Sequence, residues 1–328
     1  MEAGVITFSD LKEIRNIDDT VIALGNFDGM HTGHTELIRK TAETARRRGM
    51  KSAVFTFTGN PRNVIEGKTL IRSLLSPADK EEIIGGLGID YLFSLPFSED
   101  VRRMTPEEFI EGLLLGVFRA REVFCGFNYR FGAGRAGSLS TLREAAAYRG
   151  FALNVLKPVV VEGKAVSSSM IREIIAKGMV DECRKYMGRN YSIAGKVVSG
   201  NRIGRTIGFP TCNLLIDGEM ASPARGVYVT TCFFGGHTFP GVTNFGIRPT
   251  IGDGKKTAET HLFDFEGDLY GKEIRVEFLK KIRDEIKFDN VGQLAAQIAA
   301  DIRTARGCHL ARQRGPAGDD SGSLPMFE

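Results

Sequence analysis

TVIALGNFDGMHTGHTELIRKTAETARRRG, Thr20–Gly49, begins as a β-branched apolar run, breaks in a glycine-containing turn and resumes at helical spacing. Leu37, Ile38, Thr41, Ala42 and Ala45 fall on one helix face. Arg46, Arg47 and Arg48 sit where the helix dipole favours cations, and Gly49 follows as a stop. Strand, turn and helix in this order are the first half of a βαβ unit. Its turn, GNFDGMHTGH (Gly25–His34), holds two of the chain's 5 histidines. Such residues weaken a regular element, so the turn asks for a reason other than architecture.

Outward from that unit, SAVFTFT, DYLFSL and REVFCG read as further strands, and SPADKEEIIGGLG and TPEEFIEGLLLGVF as helices. In the last of these, Thr105 is an expected N-cap with Glu108 closing a capping box. The fold class expected here is α/β, a Rossmann-like domain with a mostly parallel sheet. From about Tyr191 the texture changes: YSIAGKVVSG, GVYVTTCFFGG, HTFPGVTNFG, ETHLFDF and KEIRVEFLKKI are strand-like runs separated by glycines. They predict a C-terminal antiparallel sheet or small closed β-barrel, followed by a terminal helix with Leu294, Ile298 and Ile302 on one face. The expected domains are residues 1–187 and 188–310, with 311–328, rich in Gly, Pro, Ser and Asp, as a disordered tail.

Composition fits a globular chain of 328 residues, long enough for two cores, with 42% hydrophobic and 26% charged residues. The net charge of +4 and the lack of a long basic block leave no nucleic-acid footprint. Cys125, Cys183, Cys212, Cys232 and Cys308 form no Cys-x-x-Cys pair and have no His at metal-ligand spacing, which argues against disulfides and structural zinc. No run of signal-peptide or membrane-span length occurs, so the cytoplasm is the expected compartment, without a membrane partner.

In an open α/β sheet ligands bind at the carboxyl ends of parallel strands, where the Gly25–His34 turn falls. Gly25 and Gly29 let the backbone approach a ligand closely, the helix start offers N–H groups to an anion, and His31 and His34 can donate to phosphate oxygens. The alternative is a tight connection whose histidines serve only the fold. The turn also resembles the Gly-x-Phe-Asp-x-x-His-x-Gly-His signature of the nucleotidyltransferase superfamily. In its longer form it is similar to the FAD synthetase branch; cytidylyltransferases and pantetheine-phosphate adenylyltransferases are other members. SSSMIREIIAKG (Ser167–Gly178) resembles the segment that closes over ATP phosphates in these enzymes, with Ser169 in place of the usual threonine, and CGFNYRFGAGRAG (Cys125–Gly137) resembles their adenosine- and flavin-contacting loop. The resemblance implies that Gly25, Phe27, Asp28, Gly29, Asn128 and Ser168 bind ATP and FMN, and that His31, His34 and Arg172 are catalytic. Where the family usually has His-Pro, this chain has Asn60-Pro61.

GNRIGRTIGFPTCNL (Gly200–Leu214) concentrates glycines and cations before Pro-Thr-x-Asn, which predicts close approach of a ligand to the backbone. It resembles the riboflavin kinase signature, with Cys212 in place of alanine. That resemblance implies that Gly204, Arg205, Gly208, Pro210 and Arg283 bind ATP or flavin, and that Thr211 and Asn213 hold Mg²⁺ with hard oxygen ligands. It also implies that Glu259, in AETHLFDFEGDLYG, is the catalytic base, and that Asn244 and Arg248, in TNFGIRPT, take part.

Together these resemblances span nearly the whole chain outside the tail and point to the bacterial bifunctional riboflavin kinase/FAD synthetase family. They imply phosphorylation of riboflavin to FMN by ATP in the C-terminal domain, and adenylylation of FMN to FAD with loss of pyrophosphate in the N-terminal one. Two rival readings remain: an enzyme that stops at FMN, and a flavin-binding regulatory protein without turnover. Oligomeric state is not legible.

Overall fold

The computed structural model describes residues 4–200, 203–247 and 256–314. A parallel sheet forms first along the chain from β1 (Ile6–Phe8), β2 (Thr20–Leu24), β3 (Lys51–Phe57), β4 (Tyr91–Leu95), β5 (Ala120–Gly126) and β6 (Ala152–Leu156). Their order is β1-β4-β3-β2-β5-β6, every neighbouring pair parallel. Strand β2 is buried along its whole length, and its alternate side chains feed two cores. Ile22 and Leu24 pack with Phe55, Phe93 and Phe118, whereas Val21 and Ala23 pack with Leu37, Ile38, Ala42 and Ala45 of helix α1 (Thr32–Arg48). A parallel sheet covered on both faces requires such double-sided strands. The α1 face and its Gly49 stop, at φ 65°, are as expected.

Helices α2 (Pro61–Glu66), α3 (Pro77–Gly85), α4 (Glu99–Arg103), α5 (Pro106–Glu108) and α6 (Leu139–Arg149) fill the crossovers. The expected box opens α5, Thr105 Oγ1 accepting from Glu108 N at 3.1 Å and Glu108 Oε2 from Thr105 N at 2.8 Å. The chain then continues in wider π-type turns, Phe109–Val117, that bury Phe109, Ile110, Leu113 and Leu114. After β6 come a two-stranded ribbon, β7 (Val160–Val161) with β8 (Lys164–Ala165), and the helices α7 (Ser168–Ala176) and α8 (Cys183–Met187).

The second sheet is a closed barrel in the order β10-β13-β12-β11-β14-β9. Its elements are β9 (Tyr191–Val198), the short α9 (Ile203–Thr206), β10 (Cys212–Leu215), β11 (Gly226–Phe234), β12 (His237–Ile247), β13 (Lys256–Leu262) and β14 (Glu273–Arg283). All its strand pairs are antiparallel. Tyr191, Tyr228 and Phe245 pack around Phe278 at ring distances of 5.3–6.3 Å. Three buried threonines, Thr230, Thr243 and Thr260, satisfy one another across neighbouring strands at 2.8 and 2.9 Å. Helix α10 (Val291–Arg314) covers a second apolar cluster, bringing Ile302 and Ala305 to Val227, Val229, Val242, Phe263 and Leu279.

By its internal contacts the chain divides between Ser168 and Ser169. The cause is packing of the 169–187 segment on the barrel: the turn Val180–Glu182 lies against β14, and a side chain at Gly178 would meet Tyr228 Oη at 3.0 Å. At the other end α10 runs on to Arg314, so the first residues assigned to the tail are helical, and 315–328 lie outside the described residues. All five cysteines are free, and burial pushes the thiols of Cys125, Cys183 and Cys212 up to about 12.

The tie between barrel and helix is ionic as well as apolar. Arg283 at the end of β14 donates from Nε and NH2 to both carboxylate oxygens of Asp301, at 2.7–3.1 Å, and Gln297 adds a third donor at 3.0 Å. Asp301 is 4% exposed. Asp301→Ala leaves a half-buried guanidinium without its anion, which costs about 2–3 kcal/mol; urea unfolding followed by the transition of the C-terminal unit should show that loss.

Candidate active sites

Winding away from β2 toward β3 and β4 reverses when the chain crosses back to β5, so the switch point of the parallel sheet lies between β2 and β5. Crevices for ligands form there, outside the carboxyl ends of the strands. Both loops singled out in the sequence flank it: Gly25–His34 follows β2, and Phe127-Asn128 follows β5.

The first loop is strained and buried. Phe27 and Met30 have φ of 46° and 38° although neither is glycine, and both are within 1% of full burial. Such conformations cost about 1–3 kcal/mol each and cluster at functional sites. Gly25 is required because a Cβ there would come within 2.8 Å of the Phe27 ring; Gly29, at φ 80°, would place one 2.5 Å from Leu74 Cδ1. Phe27 itself belongs to the core, presenting its edge to His34 at 5.3 Å.

His31 is the N-cap of α1. Its Nδ1 accepts the His34 N–H at 3.3 Å, which puts the ring proton on Nε2 as a donor. The two imidazoles stack at 3.6 Å between centroids, 18° from parallel. Gly33 leaves room for this, since a Cβ there would lie 3.3 Å from the His31 ring. No acidic residue occupies the first turn of α1, and the buried Thr32 hydroxyl has no hydrogen-bond partner among the described residues. A neutral cap and an uncompensated helix start favour an anion.

Asp28 is committed to structure: its Oδ1 accepts Leu74 N–H at 2.8 Å, and its carbonyl accepts from Ser168 Oγ at 2.7 Å. Ser168 thereby fastens the backbone of the Gly25–His34 loop at Asp28. Arg172 stands one turn further along that helix, half-exposed, and Ser169 is exposed. Asn128 is exposed at the crevice rim. Asn60 is the N-cap of α2, accepting Arg62 N–H at 3.0 Å ahead of Pro61.

In the barrel, register assembles the second group. Asn213 on β10 is directly opposite Glu259 on β13, which is opposite Asn244 on β12. Cross-strand partners share a face, so these three side chains form one rung. Asn213 is buried and Glu259 half-exposed. The loop before β10 is folded tightly, Gly204 O accepting Phe209 N–H at 2.7 Å; a Cβ on Gly204 would sit 2.3 Å from Phe209 O. That same Cβ would be 3.4 Å from Thr211 Oγ1, so the glycine brings backbone and hydroxyl together. Gly208 makes the turn at φ 84°.

His261, part of the quoted sequence but given no role there, donates from Nδ1 to Pro210 O at 2.8 Å and meets the Phe209 ring edge-on at 6.0 Å. It latches the Pro210-Thr211 turn to the strand that bears Glu259, two residues away; the signal was the Glu-x-His spacing, which puts both on one face of β13. Glu285 is a further residue missed: its carboxylate lies where a side chain on Gly246 would be, 2.2 Å from the Cβ position. Arg283 is paired with Asp301 at 2.7 Å. The side chain of Arg205, and Arg248 entirely, lie outside the described residues.

The family model described as FAD synthetase matches residues 13–170, and that described as riboflavin kinase matches residues 187–309. Bifunctional riboflavin kinase/FMN adenylyltransferases of Pseudomonas fluorescens and Escherichia coli (strain K12) are 34% and 35% identical over 87% of this chain and 92% and 91% of their own lengths. A crystal structure described as a macrolide-efflux protein from Streptococcus pneumoniae is 34% identical with a TM-score of 0.83, covering 93% of this chain and 99% of the other.

The cap makes a separable prediction about stability. His31→Ala removes the acceptor and should cost about 1 kcal/mol, whereas His31→Asn keeps a capping oxygen and should cost well under half of that; unfolding of the two variants followed by circular dichroism checks the order.

Proposed function

Because the chain belongs to the bifunctional riboflavin kinase/FMN adenylyltransferase family, we propose that the β2–β5 crevice is where it adenylylates FMN and the barrel rung where it phosphorylates riboflavin. The activities are those of the family: riboflavin and ATP give FMN and ADP, and FMN and ATP give FAD and pyrophosphate. The efflux description is not carried over; both matched families are enzymes, and among the described residues no helix is long and apolar enough to cross a membrane.

The observation that carries the assignment of the first site is the cap: one imidazole fixed through Nδ1, another stacked on it, at the start of a helix beside the switch point. The FMN phosphate is already an anionic nucleophile, so adenylylation needs alignment and charge stabilisation and no strong base. His31, His34 and the backbone of Gly25–Gly29 supply donors, Ser168 orders the loop and Asn128 borders the crevice. Arg172 adds a forked cation for phosphate oxygens. Phe27 and Asp28 act from beneath, by packing and by pinning Leu74.

At the barrel, Glu259 takes the proton of the riboflavin hydroxyl, and Thr211 and Asn213, with Gly204, Gly208, Pro210 and Arg205, form the ATP side. Thr211, at the end of the tight loop, and Asn213, two residues on in β10, offer two neutral oxygens, a donor set that fits Mg²⁺ shared with phosphate oxygens. Bound there, the cation would offset charge on the transferring phosphoryl group. Arg283 contributes by holding α10. We also infer a cytoplasmic enzyme, from its ATP-consuming biosynthetic relatives.

Separate loss of the two products tests the division. His31→Asn should lower FAD formation from FMN about a hundredfold, the scale for one transition-state donor, with riboflavin phosphorylation unchanged. Glu259→Gln should lower FMN formation a hundredfold or more and spare FAD formation from added FMN. Chromatography of the flavins reads both, and equal loss of both activities in either variant contradicts the assignment.

A further inference from the structure

One buried cation sits under the adenylylation loop and belongs to none of the groups assigned above. Lys80, on α3, is 7% exposed. Its Nζ donates to Phe57 O at 2.9 Å and Asn26 O at 3.3 Å, with Thr56 Oγ1 at 3.5 Å; Thr56 Oγ1 also donates to Asn26 O, at 3.0 Å. Two donors therefore hold the Asn26 carbonyl inward, beneath the turn that leaves β2. All described peptides are trans, and in a trans peptide C=O and N–H point in opposite directions. Pulling the Asn26 carbonyl into the core turns the Phe27 N–H the other way, toward the crevice, and the positive φ of Phe27 belongs to that arrangement.

We propose, building on the adenylylation reading, that Lys80 is a positioning residue for adenylyl transfer: its ammonium orients the Asn26–Phe27 peptide as a donor to the triphosphate and adds positive charge beneath it. Its protein partners are neutral carbonyls and a hydroxyl. Asp28 is the charged side chain whose field acts on it; on α3 the acids adjacent in sequence are Asp79, which is buried, and Glu81, whose carboxylate accepts from Thr7 Oγ1 at 2.6 Å. Burial lowers the lysine to about 8, partly offset by Asp28. Because that value lies below the ordinary lysine range, the fold gains stability from this group as pH rises through 8 and carries a cost for the charge below it. A clamp needed only for folding would serve as well as a neutral amine, which still donates hydrogen bonds; a charge retained at such a cost is explained by an anionic ligand.

The test uses the whole protein and follows FAD formation from FMN and ATP, a reaction the kinase site does not perform. In the unaltered enzyme kcat/KM for ATP should fall about tenfold per pH unit above about pH 8, while kcat holds to higher pH because bound triphosphate keeps the ammonium protonated. Lys80→Arg, charged throughout, should lose that limb. Lys80→Met should lose it too and lie at least tenfold lower at pH 7. A flat kcat/KM profile to pH 10 in the unaltered enzyme, or the same limb in Lys80→Arg, overturns the proposal even if Lys80→Met does not fold. Absence of any FAD would instead overturn the adenylylation reading beneath it.

Discussion

The N-terminal site depends on one hydrogen bond, from the His34 N–H to His31 Nδ1. Helices usually begin with Ser, Thr, Asp or Asn, and an aspartate in this place would put negative charge at the positive end of the helix and repel an anionic ligand. An imidazole caps without charge. It also fixes its own tautomer, stacks its neighbour and leaves the positive end of α1 for the ligand. Gly25, Gly29 and Gly33 are each explained by this geometry, since a Cβ at any of them would meet Phe27, Leu74 or His31 itself.

The barrel reaches a comparable result without helix dipoles. Antiparallel register is fixed by the ladder, so Asn213, Glu259 and Asn244 cannot drift apart without breaking three strands. The irregular loop before β10 is then held from both sides, by Gly204 against Phe209 and by His261 on Pro210. A loop held in this way becomes rigid through the strand beside it.

Much of this was legible in the sequence, and the misses share a cause. Strand β2 and helix α1 announced themselves because a fully buried strand and a one-faced helix leave strong patterns. β1 and β6 are edge strands with partly exposed residues throughout, and β10 is four residues inside a glycine-rich loop, so none carried a pattern of its own. Local features set by a turn, such as the close backbone approach at Gly25 and Gly204, follow from glycines that the sequence displays. Contacts with a distant partner leave no such pattern: Arg283 pairs with Asp301, eighteen residues on, and Lys80 donates to the carbonyls of Asn26 and Phe57. Phe27 and Asp28 sit in the motif for packing and loop anchoring, a distinction that spacing does not encode.

The most direct measurement of the central claim is a crystal structure with magnesium and an ATP analogue that resists cleavage between the α- and β-phosphates. The account predicts the triphosphate in the crevice beyond β2 and β5, within hydrogen-bond distance of His31 Nε2. A triphosphate bound elsewhere in the N-terminal unit, or imidazoles turned from it, would contradict that claim.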